Sequence, residues 1–204
     1  MGVTPQDRDF GLGRGKVFPA DKAKSLLNPV RRLVQSPGRT VAAMGLTAGA
    51  RVLEVGSGPG FFSPSIAAAM PNGQLVLVDL QAEMLVFARA RLGQAENVAL
   101  AQADACALPI HTGQFDAVLL ATVLGEVPDR DACIEEIGRV LRPGGTVTIA
   151  ETRRDSDFIS LRSLRDLLLR HQFSFIGRRG MAWQYAASFR SGKPRPNQIS
   201  PSGR

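Results

Sequence analysis

The chain has 204 residues, of which 44% are hydrophobic, 6% aromatic and 21% charged. These proportions fit one globular domain with a sizeable core, and they exclude the fibrous and disordered classes. The longest apolar stretch, Ala117 to Gly125, is about half of the ~20 residues that a membrane-spanning helix needs. The first ten residues are polar and lack the apolar run of a secretory signal, so a cytoplasmic protein is expected. Cys106 and Cys133 are too few and too isolated for a disulfide framework, a Cys-based zinc site or an iron–sulfur cluster, and both read as buried thiols.

The net charge of +7 is unevenly placed. Residues 1–50 carry eight basic and three acidic side chains and residues 51–150 carry six and eleven, so these two stretches cancel. The surplus lies after Ala150, where eleven basic residues face four acidic ones. Such a segment either faces an anionic partner or is a solvated surface that aids solubility.

From Ala20 to Gln35 the pattern is helical but interrupted at Asn28-Pro29, because a residue before proline is pushed out of helical dihedrals. From Arg51 strand-like and helix-like segments alternate, the sign of a parallel sheet covered on both faces. Strands are expected at 51–55, 74–79, 97–101, 115–121 and 146–151. Helices are expected at 61–70, 81–92 and about 129–141, with Gly93 as a C-cap and Pro143-Gly144-Gly145 as a turn before the fifth strand. An amphipathic helix follows over 158–171. Segments 173–178 and 183–190, separated by a turn at Gly180, suggest a closing hairpin. The Pro-, Gly- and Ser-rich residues 191–204 read as a disordered tail.

The most specific segment is Val52-Leu53-Glu54-Val55-Gly56-Ser57-Gly58-Pro59-Gly60, a strand running into a glycine-rich turn. A sharp strand-to-helix reversal needs dihedrals that side chains resist, and a ligand lying on the turn needs backbone without a Cβ. In the dinucleotide fingerprint G-x-G-x-x-G the third glycine would fall at Phe61, and the segment offers no Lys or Arg to a pyrophosphate. Both points argue against a nicotinamide dinucleotide.

The pattern Glu54…Gly56-x-Gly58-x-Gly60 resembles the first motif of the class I S-adenosylmethionine-dependent methyltransferases. Further matches follow in order: Asp79 closing the second strand, Ala103-Asp104-Ala105 after the third, Ala121 ending the fourth, and Leu141-Arg142-Pro143-Gly144-Gly145 before the fifth. Together they span about half the chain. The resemblance is to the small-molecule branch of that family, which methylates quinones and sterols. It implies a single α/β domain at 51–190 with a Rossmann-like, doubly wound, mostly parallel seven-stranded sheet closed by an antiparallel strand, preceded by a helical lid at 1–50. It also implies S-adenosylmethionine as cofactor. Glu54 would lie near the methionyl amino group, and Gly56, Ser57, Gly58 and Gly60 would form the turn beneath the cofactor. Asp79 would take the ribose hydroxyls, Leu80 and Met84 would flank the adenosine, Asp104 and the N–H of Ala105 would meet the purine edge, and Ala121 would face the methionine part.

A methyl donor that is already activated needs mainly proximity and alignment from the protein, so a conspicuous catalytic cluster is not required. His111 and His171 stand in no motif and read as surface residues. Relatives of this type often carry histidines at the positions of Gly125 and Glu126; here only Glu126 could act as a base or an orienter, and no metal site is evident. No Asn/Asp-Pro-Pro-aromatic run follows the fourth strand, which disfavours methylation of a base amine. Phe10, Phe18 and glycines 11, 13 and 15 suit a mobile cover. The leading reading is a methyltransferase for a small molecule. The alternatives are an RNA or protein methyltransferase guided by the basic final third, and a non-catalytic nucleotide binder on the same scaffold. Neither the oligomeric state nor the acceptor follows from the sequence.

Overall fold

The computed structural model describes residues 16–28, 31 and 35–192. The expected tail beyond 192 and the aromatic and glycine positions before Lys16 lie outside the described residues. The described elements run, after a 3-10 turn at Ala20–Lys22, as α1 (Ala23–Leu26), α2 (Pro37–Met44), β1 (Arg51–Val55), α3 (Ser63–Ala69), β2 (Gln74–Asp79), α4 (Ala82–Leu92), β3 (Val98–Gln102), β4 (Phe115–Ala121), α5 (Arg130–Val140), β5 (Leu141–Thr152), α6 (Leu161–Arg170), β6 (Phe173–Met181) and β7 (Gln184–Ser191).

The seven strands form one sheet in the order β3-β2-β1-β4-β5-β7-β6. Strands β1 to β5 pair in parallel, while β7 runs antiparallel between β5 and β6. Alternate residues of the central strands supply two separate cores. Leu53 of β1 and Val118 and Leu120 of β4 pack with Ile134 and Ile137 of α5 and Leu164 and Leu168 of α6. Val52, Ala117 and Leu119 face the other way, onto Val41 and Met44 of α2, Ile66 of α3 and Leu85 and Ala88 of α4. This period-two partition explains why β1 and β4 read as nearly continuous apolar runs: each residue is covered by one layer or the other. Truncating a fully buried member such as Leu119 or Ile137 to alanine is worth about 2–5 kcal/mol of stability.

Several boundaries differ from the sequence expectation for local reasons. Helix α2 is not evident from apolar periodicity, yet it is well capped: the Ser36 hydroxyl accepts the Arg39 N–H at 3.4 Å, Pro37 sits at the first turn, and Gly45 ends the helix at φ +63°. Helix α6 starts at Leu161 rather than Phe158, because Ser160 Oγ accepts the Ser163 N–H at 3.1 Å and acts as N-cap. The Pro143-Gly144-Gly145 segment is a looped irregularity within β5, whose partners jump from Phe115↔Leu141 to Ala117↔Thr146. Gly180 lies inside β6, opposite Tyr185, and the reversal comes after Met181. A Cβ at Gly180, where φ is +93°, would meet the Gln184 carbonyl at 2.4 Å, which is the reason for glycine there. Cys133 is buried as expected, but Cys106 is only half-buried. His111 is exposed, whereas His171 is half-buried with its Nε2 2.7 Å from Asp131 Oδ1.

Candidate active site

The carboxyl ends of β3, β2, β1 and β4 open into a cavity of about 560 Å³, within the range typical of small-molecule sites. It lies where the strand order reverses, since β1 feeds β2 on one side and β4 pairs on the other, and open α/β sheets bind ligands at that point.

The turn after β1 forms the floor. Gly56, Gly58 and Gly60 have φ of +66°, +52° and +76°, a left-handed series that residues with a Cβ adopt only with strain. The N–H groups of Gly56 and Ser57 both donate to the Val78 carbonyl, at 2.8 and 3.1 Å, which ties the turn to β2. The three glycines meet different surroundings. A Cβ at Gly56 would strike Val123 at 2.3 Å, and one at Gly60 would press the Ala88 backbone of α4 at 3.2 Å. At Gly58 only Leu26 Cδ1 lies near, at 3.9 Å, so a side chain there would stand in the cavity. Gly60 thus provides the close packing of turn on helix that a dinucleotide fingerprint places one residue later.

Asp79 ends β2 beside this turn and is 8% exposed. Its Oδ2 accepts the Gly58 N–H at 2.8 Å and its Oδ1 accepts the Gln81 N–H at 3.0 Å. Burial raises its pKa above the ordinary carboxylate value, and the backbone N–H groups oppose that shift. After β3, Asp104 Oδ1 accepts the Cys106 N–H at 2.9 Å, which fixes the loop that brings Asp104 and Ala105 to the cavity wall. Leu80, Met84 and Ala121 also line the cavity, as do Gly56, Ser57 and Gly58.

Glu54 and Gly60 do not line it. Glu54 is 2% exposed beneath the turn, with Oε2 accepting the Ser63 hydroxyl at 2.6 Å. Burial raises its pKa to about 8, offset in part by the Ser63 hydrogen bond and reinforced by Asp79. In this geometry Glu54 braces the turn against α3 from below.

The opposite wall includes residues to which the sequence reading gave no role. Thr122, directly after β4, has φ +56°, an uncommon conformation for a β-branched residue of the kind concentrated at functional sites. The loop after β5 contributes Thr152, Arg154, Asp155, Ser156 and Asp157. Gly125 packs under this loop so closely that a Cβ would meet the Asp157 carbonyl at 2.2 Å, which excludes a side chain at that position. Glu126 is half-buried in the wall, and burial, reinforced by Asp155, raises its pKa to about 8. The amino-terminal segment closes the remaining side. Phe18 N–H donates to Glu126 Oε2 at 3.4 Å, Gln81 Nε2 donates to the Phe18 carbonyl at 2.8 Å, and Ala20 N–H donates to Gln81 Oε1 at 3.1 Å. None of these contacts is local in sequence. Among the described residues no cluster of His, Cys, Asp or Glu is arranged to hold a metal, and no helix is long and apolar enough to cross a membrane.

These residues suit a sulfonium nucleoside. The turn leaves open space at Gly58, a buried carboxylate stands beside it, and the lining aspartates Asp79, Asp104, Asp155 and Asp157 outnumber the cations Lys16, Arg31 and Arg154. The turn itself carries no basic side chain for a pyrophosphate.

Strand order, glycine turn and strand-end carboxylate define a class I methyltransferase fold. Comparison with known proteins agrees: residues 52–145 match the family described as "Methyltransferase domain". The chain is 38% identical over 116 residues to the ubiquinone/menaquinone biosynthesis C-methyltransferase UbiE of Hahella chejuensis and 37% identical over 116 residues to that of Cellvibrio japonicus. Each match covers 55% of this chain and 47% of the relative, so the chain spans about half the length of these curated relatives. Among solved structures, a SAM-dependent methyltransferase from Aquifex aeolicus superposes with a TM-score of 0.78 at 21% identity, covering 85% of this chain and 99% of that one. The N-methyltransferase NodS from Bradyrhizobium japonicum, solved with S-adenosyl-L-homocysteine, gives 0.67 at 19% identity, covering 81% and 89%. These two likenesses concern the fold. The chain thus has a methyltransferase-like fold, and its residues 52–145 are similar to the methyltransferase domain family.

Proposed function

We propose that this chain transfers the methyl group of S-adenosylmethionine to a small-molecule acceptor bound in the cavity above the glycine turn, and that it does so in the cytoplasm. The observation that carries the reading is the Asp79 carboxylate, held by the amides of Gly58 and Gln81 at the lip of a turn free of cations. Each oxygen already accepts one N–H and keeps a lone pair for a ribose hydroxyl. Asp104 and the Ala105 N–H serve the purine, Met84 and Leu80 supply the apolar flank, and residues 16–28 act as a lid. When bound, the cofactor supplies an activated methyl group on a positively charged sulfur. The chain's contribution is to orient it, to exclude water and to align an acceptor atom.

Glu126 is the acceptor-side carboxyl in this reading. With its pKa near 8 it exchanges protons close to neutrality, which suits a group that receives a proton or a hydrogen bond from the acceptor. The C-methyltransferase activity of the relatives supports a small organic acceptor here. An RNA acceptor fits less well, because the lining aspartates Asp79, Asp104, Asp155 and Asp157 would repel a phosphodiester backbone despite the basic final third.

Incubation with S-adenosylmethionine labelled in its methyl group, and with a cell extract containing metabolites, RNA and protein, tests this. The expected result is label in the solvent-extractable small-molecule fraction. Label confined to acid-precipitable RNA or protein would overturn the assignment.

A further inference from the structure

The β6–β7 hairpin carries features that the cavity does not use. Strand β5 ends at Thr152 opposite Gln184, and Gln184 also pairs with Met181 at the end of β6. Because β7 runs antiparallel to both neighbours, β6 ends at the same edge of the sheet as β5. That edge holds the cavity, so the hairpin tip at Met181-Ala182-Trp183 stands on the side where the cavity opens. The loop after β5 joins the two: the Arg153 N–H donates to the Trp183 carbonyl at 2.8 Å, and the next residue, Arg154, lines the cavity.

The tip is apolar and unpacked. Met181 is 63% and Trp183 46% exposed, two of the five large hydrophobic side chains that stand exposed among the described residues. Arginines surround them. Arg153, Arg154, Arg178 and Arg179 are all exposed, and none is in an ion pair among the described residues. No Asp or Glu occurs in the sequence after Asp166. Arg178 and Arg179 are successive in their strand, so they stand on opposite faces of the hairpin.

Charged side chains guard many sheet edges against pairing with another chain, and that need alone would account for Arg178 and Arg179 on the edge strand. It does not account for an exposed tryptophan and methionine at the reversal, where small polar residues are the ordinary choice. An indole and a thioether ringed by guanidinium groups suit the headgroup level of a bilayer, where the apolar parts enter the acyl boundary and the cations meet lipid phosphates. A nucleic acid fits less well, because one exposed aromatic side chain offers no platform for successive bases and Met181 gains nothing from a phosphodiester backbone.

We propose that the tip of the β6–β7 hairpin docks on an anionic lipid bilayer, with Met181 and Trp183 entering the headgroup region and Arg153, Arg154, Arg178 and Arg179 pairing with lipid phosphates. The cavity, at the same sheet edge, then opens toward the membrane surface. The docking goes beyond the methyl transfer proposed above and does not depend on it.

Trp183 is the only tryptophan of the chain, so its fluorescence reads docking directly. The full chain is titrated with vesicles of one part phosphatidylglycerol to two parts phosphatidylcholine, and with vesicles of phosphatidylcholine alone. The expected result is a blue shift with the anionic vesicles, quenched by brominated acyl chains, that weakens at high salt and with the neutral vesicles. Each arginine at an anionic surface is worth about 5-fold in partitioning, so the double variant Arg178→Gln, Arg179→Gln should partition about 30-fold less. Its affinity for S-adenosylhomocysteine, measured alongside, should match wild type, since neither arginine lines the cavity. No response to anionic vesicles, an equal response to neutral ones, or wild-type partitioning in the double variant would overturn the proposal. A Trp183 response to polyuridylate without one to vesicles would assign the hairpin to nucleic acid instead. If the double variant fails to fold, the wild-type comparison of the two vesicles decides. Wild-type protein that docks but binds no S-adenosylhomocysteine would refute the methyl transfer and leave the docking standing.

Discussion

Asp79→Asn changes one atom type and separates the two duties of this side chain. In the native protein each carboxylate oxygen accepts a backbone N–H, from Gly58 at 2.8 Å and from Gln81 at 3.0 Å. An asparagine amide has only one oxygen, so in either orientation its NH₂ faces one of these two donors. A buried donor left without an acceptor costs about 1–3 kcal/mol, and Tm moves by roughly 2–4 °C per kcal/mol in a chain of this size. The ligand-free variant should therefore melt roughly 2–12 °C lower. The cofactor loses more than this, because the ribose hydroxyls lose a charged acceptor. At about 1.5–3 kcal/mol for a single such bond, the Kd for S-adenosylhomocysteine should rise about 10- to 150-fold. Thermal melting of the free variant and calorimetric titration of the folded variant read the two effects separately. A variant that melts lower but binds with unchanged affinity would refute the ribose role and leave Asp79 as a structural clasp. Unchanged melting would refute the hydrogen-bond geometry itself.

Three further expectations follow from other parts of the site. Gly58→Ala should cost about 1–2 kcal/mol for its left-handed backbone alone, whereas Gly56→Ala adds a collision with Val123 and should fold far less well; equal melting temperatures would contradict the packing at Gly56. Gly125→His should lower soluble yield and melting temperature because the Asp157 carbonyl occupies the Cβ position; a fully stable variant would show that the loop after β5 yields. Burial places the pKa of Glu54, Glu126 and Glu151 near 8 in the folded chain. All three hold protons that the unfolded chain releases near pH 4.5. Stability of the ligand-free protein should therefore fall as pH rises from about 4.5 to about 8, and Glu54→Gln should flatten part of that slope. Stability that rises through this window would contradict the buried, protonated carboxyls.

The features read correctly from the sequence are those whose causes are local. The turn at 56–60 announces itself through three glycines at alternate positions, and β1, β2 and β4 through their apolar runs. All seven strands are legible as segments, the closing pair included, and the family resemblance supplies their union in one mostly parallel sheet. Helix α2 had its signals in plain sight, with Ser36 and Pro37 at one end and Gly45 at the other, but it is too short for apolar periodicity to stand out. The placement of Glu54 was not legible: a carboxylate two residues before a glycine turn can point into the cavity or beneath it, and only the Ser63 hydroxyl on α3 decides. Arg31, Thr122 and the Asp155–Asp157 loop are separated by about ninety and thirty residues in sequence, and their meeting depends on how the amino-terminal segment lies across β4. Such non-local approach leaves no periodic trace.

The most direct test of the whole account is a side-by-side calorimetric titration of the purified chain with S-adenosylhomocysteine and with NAD. Saturable binding of the first at one site per chain, displaced by S-adenosylmethionine, with no heat from NAD, is the expected result. Binding of NAD together with indifference to both sulfur nucleosides would contradict it.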